Sequence, residues 1–343
     1  MKKILPFIML AALFLGLTIF SPQADASSKA GLVKVVKSKT TVIYEKPSTS
    51  AKKVLTLSQN TPVVQLSQSS GWSRVQVGDK IGYTQMSKLK VKSATYRAMK
   101  KAATIKSSKA SKAKTLVTVP KDAAVKNYGS VGNGLIFVQY GDYSGYLAAS
   151  ATKATTNSTA YPTYSDTMFS LPNEQGDVVT FLSMFTKVQV LSKGDKYSFI
   201  KVGSKYGYVQ TSYLVNKIYQ ATAYLPDCKL LGSTNCKKVA TNHVKTYQDG
   251  YEFMDYRIVN NIYYATLDSQ FEIIFPIYKG TSMPIELAGG QFNGVVTNVG
   301  LTKKYNNKTV KNVFELSLYE GYTNKLNSKY YFGEGYGLLL GVQ

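Results

Sequence analysis

Apolar and polar residues alternate along most of this chain with a period of two, in short runs, which is the spacing of half-buried β-strands. In Trp72–Val77, Val75 and Val77 point one way while Trp72, Arg74 and Gln76 point the other; in Tyr197–Val202, Ile200 and Val202 oppose Tyr197, Phe199 and Lys201. The valine side reads as core. Runs rich in Val, Tyr and Thr, broken by Gly, Asn, Ser and Pro every 8 to 12 residues or so, predict an all-β chain joined by tight turns. Residues 251–264, 271–278, 294–304, 310–319 and 329–340 continue the pattern, and helix is scarce throughout.

One phrase recurs. An offset of 125 carries Trp72 to Tyr197, Gly78 to Gly203, Gly82 to Gly207, Tyr83 to Tyr208, Gln85 to Gln210 and Leu89 to Leu214. An offset of 63 finds a weaker middle copy, in which Val138, Gly141, Gly145, Tyr146 and Ser150 match Val75, Gly78, Gly82, Tyr83 and Ser87. Self-similarity at a fixed period predicts small modules in series: residues 27–92, 93–155 (the divergent copy) and 156–217, followed by a β-rich domain over 218–343.

The first copy runs from Val42 through Pro47-Ser48-Thr49-Ser50 to the Gly71-Trp72…Gly82-Tyr83 close, and so resembles the bacterial SH3 family. The third copy keeps Val179, Leu182, Thr186, Val188 and Leu191; the second has Leu135 for the aromatic and lacks the proline turn. The resemblance implies SH3-like barrels in tandem and, for many members, binding to peptidoglycan or another wall component. Trp72, Tyr83, Tyr146, Tyr197 and Tyr208 are the candidate ligand contacts: Trp72 and Tyr197 lie opposite the valine face, where a flat ring can stack on sugar or peptide, and a tyrosine follows glycine in all three copies. The alternative for Trp72 and Tyr197 is that a bulge or barrel corner returns them to the core. Three linked weak sites would raise avidity by about 10²- to 10⁴-fold where they engage together.

Residues 1–26 read as a secretory signal peptide, with Lys2 and Lys3 before an apolar core and cleavage after Ala26. No cysteine follows to accept a lipid, and no later run approaches the roughly 20 apolar residues of a membrane span. In an oxidising compartment Cys228 and Cys236, the two cysteines of the chain, are expected to form a disulfide.

The net charge of +23 is uneven: residues 27–217 hold 28 Lys and Arg against 8 Asp and Glu, whereas 218–343 hold 12 against 10. Residues 80–121 carry eleven lysines, Arg97 and no acid. Such runs are often plain solvated faces; they also attract polyanions over long range. With only 3 arginines among 42 basic residues, fork-like recognition of phosphate is sparse. No nucleic-acid-binding motif accompanies the lysines, so the expected partners are peptidoglycan or anionic wall polymers such as teichoic acid, and not nucleic acid.

Phrases such as Phe275-Pro276-Ile277-Tyr278 and Tyr330-Tyr331-Phe332-Gly333 resemble an uncharacterised β-domain of secreted Firmicute proteins, with Met283 where that domain usually has Trp. The resemblance implies a curved antiparallel sheet able to wrap an apolar face. It brings no catalytic residue. A papain-like peptidase needs Cys with His, and a zinc hydrolase needs two or three histidines, whereas His243 is alone and Cys228 is expected in a disulfide. No metal or cofactor is expected. A two-carboxylate glycosidase stays open, with Glu252, Asp255, Glu272, Glu286, Glu315, Glu320 and Glu334 as candidates by residue type; the plainer account is acids on the polar faces of strands. The expectation is therefore an exported, non-enzymatic wall-binding protein, the alternative a wall glycosidase targeted by the repeats.

Overall fold

A computed structural model describes residues 31–339 except 233, 267–269, 288 and 322; the expected signal peptide lies outside the described residues. The chain is all-β, with several antiparallel sheets and a few single-turn helices. It divides into two compact units, one of residues 31–95, 102–119 and 125–151, the other of 96–101, 120–124 and 152–339.

Three seven-stranded sheets repeat one order. In the first, the order across the sheet is Lys53–Ser58, Thr40–Tyr44, Lys80–Gln85, Trp72–Val77, Pro62–Ser69, Leu32–Val36 and Leu89–Val91, and the same order recurs over residues 95–154 and 158–215. Even the register repeats: Val75 pairs with Gly82, Val138 with Gly145 and Ile200 with Gly207. The sequence offsets are thus structural equivalences. One-sided burial follows from the period-two pattern, with Ile43, Leu57, Val63 and Val75 in the first core and Met168, Leu182, Val188 and Ile200 in the third. Ile105, Val119, Val125 and Val138 are buried at the equivalent middle positions.

The recurring Gly-Tyr has a steric cause. A Cβ at Gly82 would lie 2.6 Å from the carbonyl oxygen of Tyr44, and one at Gly207 would lie 2.7 Å from that of Phe169; at Gly145 it would meet the carbonyl of Lys106. The strand can cross its neighbour this closely only without a side chain.

Beyond residue 217 the expected antiparallel β-domain is built of two five-stranded meanders. Cys236–Ala240, His243–Gln248, Tyr251–Val259, Ile262–Thr266 and Gln270–Ile274 form one; Ser282–Leu287, Gly290–Tyr305, Lys308–Glu320, Leu326–Gly333 and Gly337–Leu339 form the other. The reason is that each sheet has an apolar face and the two faces cover each other. Tyr263, Phe271 and Phe275 share one core with Phe314, Leu316 and Phe332, with Phe314 stacked on Phe332 at 4.8 Å. Tyr224 sits among them, accepting at its carbonyl from the Tyr263 hydroxyl at 2.9 Å and donating to the carbonyl of Asn312 at 3.1 Å. Met283 belongs to this core. Cys228 and Cys236 are disulfide-bonded, joining the helical turn Cys228–Leu231 to the first strand. Among the described residues no helix is long and apolar enough to cross a membrane.

Candidate functional site

Each repeat has a second face, opposite its core, made by the paired strands of the Gly-Tyr phrase. Its central pair is Arg74 with Tyr83 in the first copy, Phe137 with Tyr146 in the second and Phe199 with Tyr208 in the third. The alternation expected for the first and third copies, and shown by the second too, holds. Exposure does not.

In the second copy Phe137 and Tyr146 pack edge-to-face at 5.2 Å and are covered by Val33, Val64 and Leu66 of the first. In the third, Tyr197, Phe199 and Tyr208 are covered by Ala124, Tyr96 and Leu191, and Tyr96 stacks on Tyr206 at 4.5 Å. The Tyr208 hydroxyl accepts from the Ala124 amide at 2.8 Å and donates to the Ala124 carbonyl at 3.2 Å. Tyr146, Tyr197 and Tyr208, expected as ligand contacts, are therefore interior residues, with exposures of 6%, 9% and 2%. Residues distant in sequence lie over the face. Burial raises the Tyr146 phenol above its ordinary pKa, and burial with the neighbouring Glu174 and Asp166 carboxylates does the same for Tyr197.

The first copy keeps its face half-exposed. Trp72 and Arg74 lie on one strand and Tyr83 on the next, all only partly buried, and the Tyr44 ring stands edge-on to Trp72 at 6.0 Å and 80°. Of the five expected contacts, Trp72 and Tyr83 are brought together here. Tyr44 and Arg74 were not among them. Arg74 did leave a signal: it stands where the other two copies have Phe137 and Phe199, a charge replacing an apolar residue at one repeat position. The face can offer flat rings to sugar or peptide C–H groups and a guanidinium fork to a carboxylate or phosphate.

Glu252 and Asp255 share Lys245, at 2.8 and 3.8 Å, whereas Glu315, Glu320 and Glu334 have separate partners. Asp255 also pairs with His243 at 2.9 Å and Glu320 with the Thr323 hydroxyl at 2.6 Å, while Glu334 accepts from the Asn312 amide. Glu315 is buried and accepts from Thr297 at 2.6 Å, Tyr331 at 2.9 Å, and Asn298 and Lys329 at 3.2 Å. Glu272 and Glu286 line the same cleft, of about 880 Å³, with Met283, Ile285 and Phe292.

No protein-family model matches the chain, and no curated protein matches it. Among solved structures it is similar to NlpC2 from Trichomonas vaginalis, at 9% identity and a TM-score of 0.23 over 54% of this chain and 94% of that one. It is likewise similar to NlpC1 from Trichomonas vaginalis, at 11% identity and a TM-score of 0.22 over 55% of this chain and 96% of that one. Likenesses this slight carry no functional argument.

Proposed function

We propose that the chain is an exported, non-enzymatic protein that adheres to the bacterial cell wall, engaging peptidoglycan or an anionic wall polymer. The observation that carries this reading is the half-exposed group Tyr44, Trp72, Arg74 and Tyr83 on the first copy. Rings on an accessible sheet face suit the C–H surfaces of sugar or peptide, and Arg74 suits the carboxylates and phosphates of wall polymers. The lysine excess of residues 27–217 adds long-range attraction to the same polyanions.

The test is co-sedimentation of the mature protein with purified walls. Trp72→Ala should weaken retention at least about tenfold while shifting the unfolding midpoint little, because a core aromatic truncated to alanine costs about 3 to 5 kcal/mol and a half-exposed one much less. Unchanged retention, or a collapse in stability, would overturn the assignment. A second reading, a carboxylate-dependent wall glycosidase delivered by the repeats, is favoured by the shared cleft of Glu272 and Glu286. Release of reducing ends from walls, abolished by Glu286→Gln, would establish it.

A further inference from the structure

We propose that the C-terminal pair of sheets carries a saccharide-binding cleft, separate from the face of the first copy, at the edge stapled by the disulfide. The cleft encloses about 600 Å³ and brings together Tyr256, Tyr305 and Tyr336 with Asn235, Asp249 and Asn306. Tyr305 and Tyr336 are half-exposed and meet edge-to-face at 6.3 Å and 82°. Tyr256 is buried at the floor.

Local backbone chemistry builds each wall. A Cβ at Gly337, whose φ is +73°, would lie 2.7 Å from the Tyr256 ring. Glycine therefore lets the chain lie on that ring and carry the adjacent Tyr336 to the cleft. Tyr305 pairs with Lys308 across a two-residue turn in which Asn306 and Asn307 both have positive φ, the conformation asparagine tolerates best after glycine. That turn holds the Asn306 amide at the cleft. The third wall, Leu231 and Asn235, lies within the loop closed by Cys228 and Cys236. Lys308 Nζ donates to the Leu230 carbonyl at 2.9 Å and the Tyr247 amide to the Asn235 carbonyl at 2.9 Å, fixing the loop to the sheets.

The lining selects the guest. Its two charged groups, Asp249 and Lys308, are opposite in sign, so no net charge recommends an ion. Tyrosine rings beside side-chain amides suit a molecule with apolar C–H faces and a rim of hydroxyls, which is a neutral oligosaccharide.

Calorimetric titration of the oxidised full chain with tri-N-acetylchitotriose and with cellotriose, each to about 10 mM, tests this. At least one sugar should bind. Tyr305→Ala and Asn306→Gly should each weaken it about tenfold or more, glycine preserving the turn so that the loss reports the amide. Phe181→Ala, at an exposed position outside the cleft lining, should leave the titration unchanged, and reduction of the disulfide should weaken it. The proposal is overturned if neither sugar binds, if Asn306→Gly binds as the parent does, or if Trp72→Ala abolishes binding, which would return the sugar to the first copy.

Discussion

Tyr83 and Tyr208 occupy one position of the repeat and take opposite roles. The Tyr208 hydroxyl serves both the amide and the carbonyl of Ala124, and the pair is buried. Tyr208→Phe leaves two backbone groups unserved and should cost about 1 to 3 kcal/mol. Tyr83→Phe, on the half-exposed face, should cost almost nothing. Urea denaturation of the two variants decides it, and equal midpoints would refute the contrast. The residues 72–83 and 197–208 show how far sequence carries at this scale. Alternation gave the correct side of the strand for Trp72, Arg74, Tyr197 and Phe199. What lies over that side comes from residues such as Tyr96 and Ala124, 101 and 73 positions away from Tyr197, and no local pattern reports so distant a cover.

Among the strands, Lys308–Glu320 sets an acid limit on the fold. Burial alone would raise the Glu315 carboxyl, but hydrogen bonds from Thr297, Tyr331 and Lys329 outweigh it and bring the pKa down to about 2. A folded value below the unfolded one means that this contribution is complete above about pH 5 and is lost as pH falls through about 2. Its size is on the order of 3 kcal/mol. Unfolding free energies measured between pH 5 and 3 should therefore fall less steeply in Glu315→Gln than in the parent; parallel slopes would refute the assignment. The sequence placed Glu315 on a strand, as it is, but took it for an outer-face acid because Thr297 and Lys329 arrive from neighbouring strands. Element boundaries blurred for a related reason. The run 251–264 is two strands, turning at Asn260 and Asn261, both with positive φ inside an otherwise continuous aromatic pattern. Ser282–Leu287, with Pro284 and two charged or polar outward positions, was missed.

For the whole molecule, the charge bias toward residues 27–217 makes adhesion an ionic-strength question. Retention on walls should drop steeply as added salt brings the screening length to about 8 to 10 Å. Sedimentation across a sodium chloride series checks this, and binding indifferent to salt would remove the lysines from the account. Three repeats also suggested three linked sites, yet two of the three aromatic faces are covered, so the avidity gained from multiplicity is not available through them. The same covering has a meaning for inheritance. A module duplicated within such a series acquires a neighbour over its face, and a phenylalanine there then serves as packing; a module without one can carry arginine at no cost to the interior. Phe137, Phe199 and Arg74 thus read as marks of rank, and a further module laid over the first copy would turn its half-exposed face into interior.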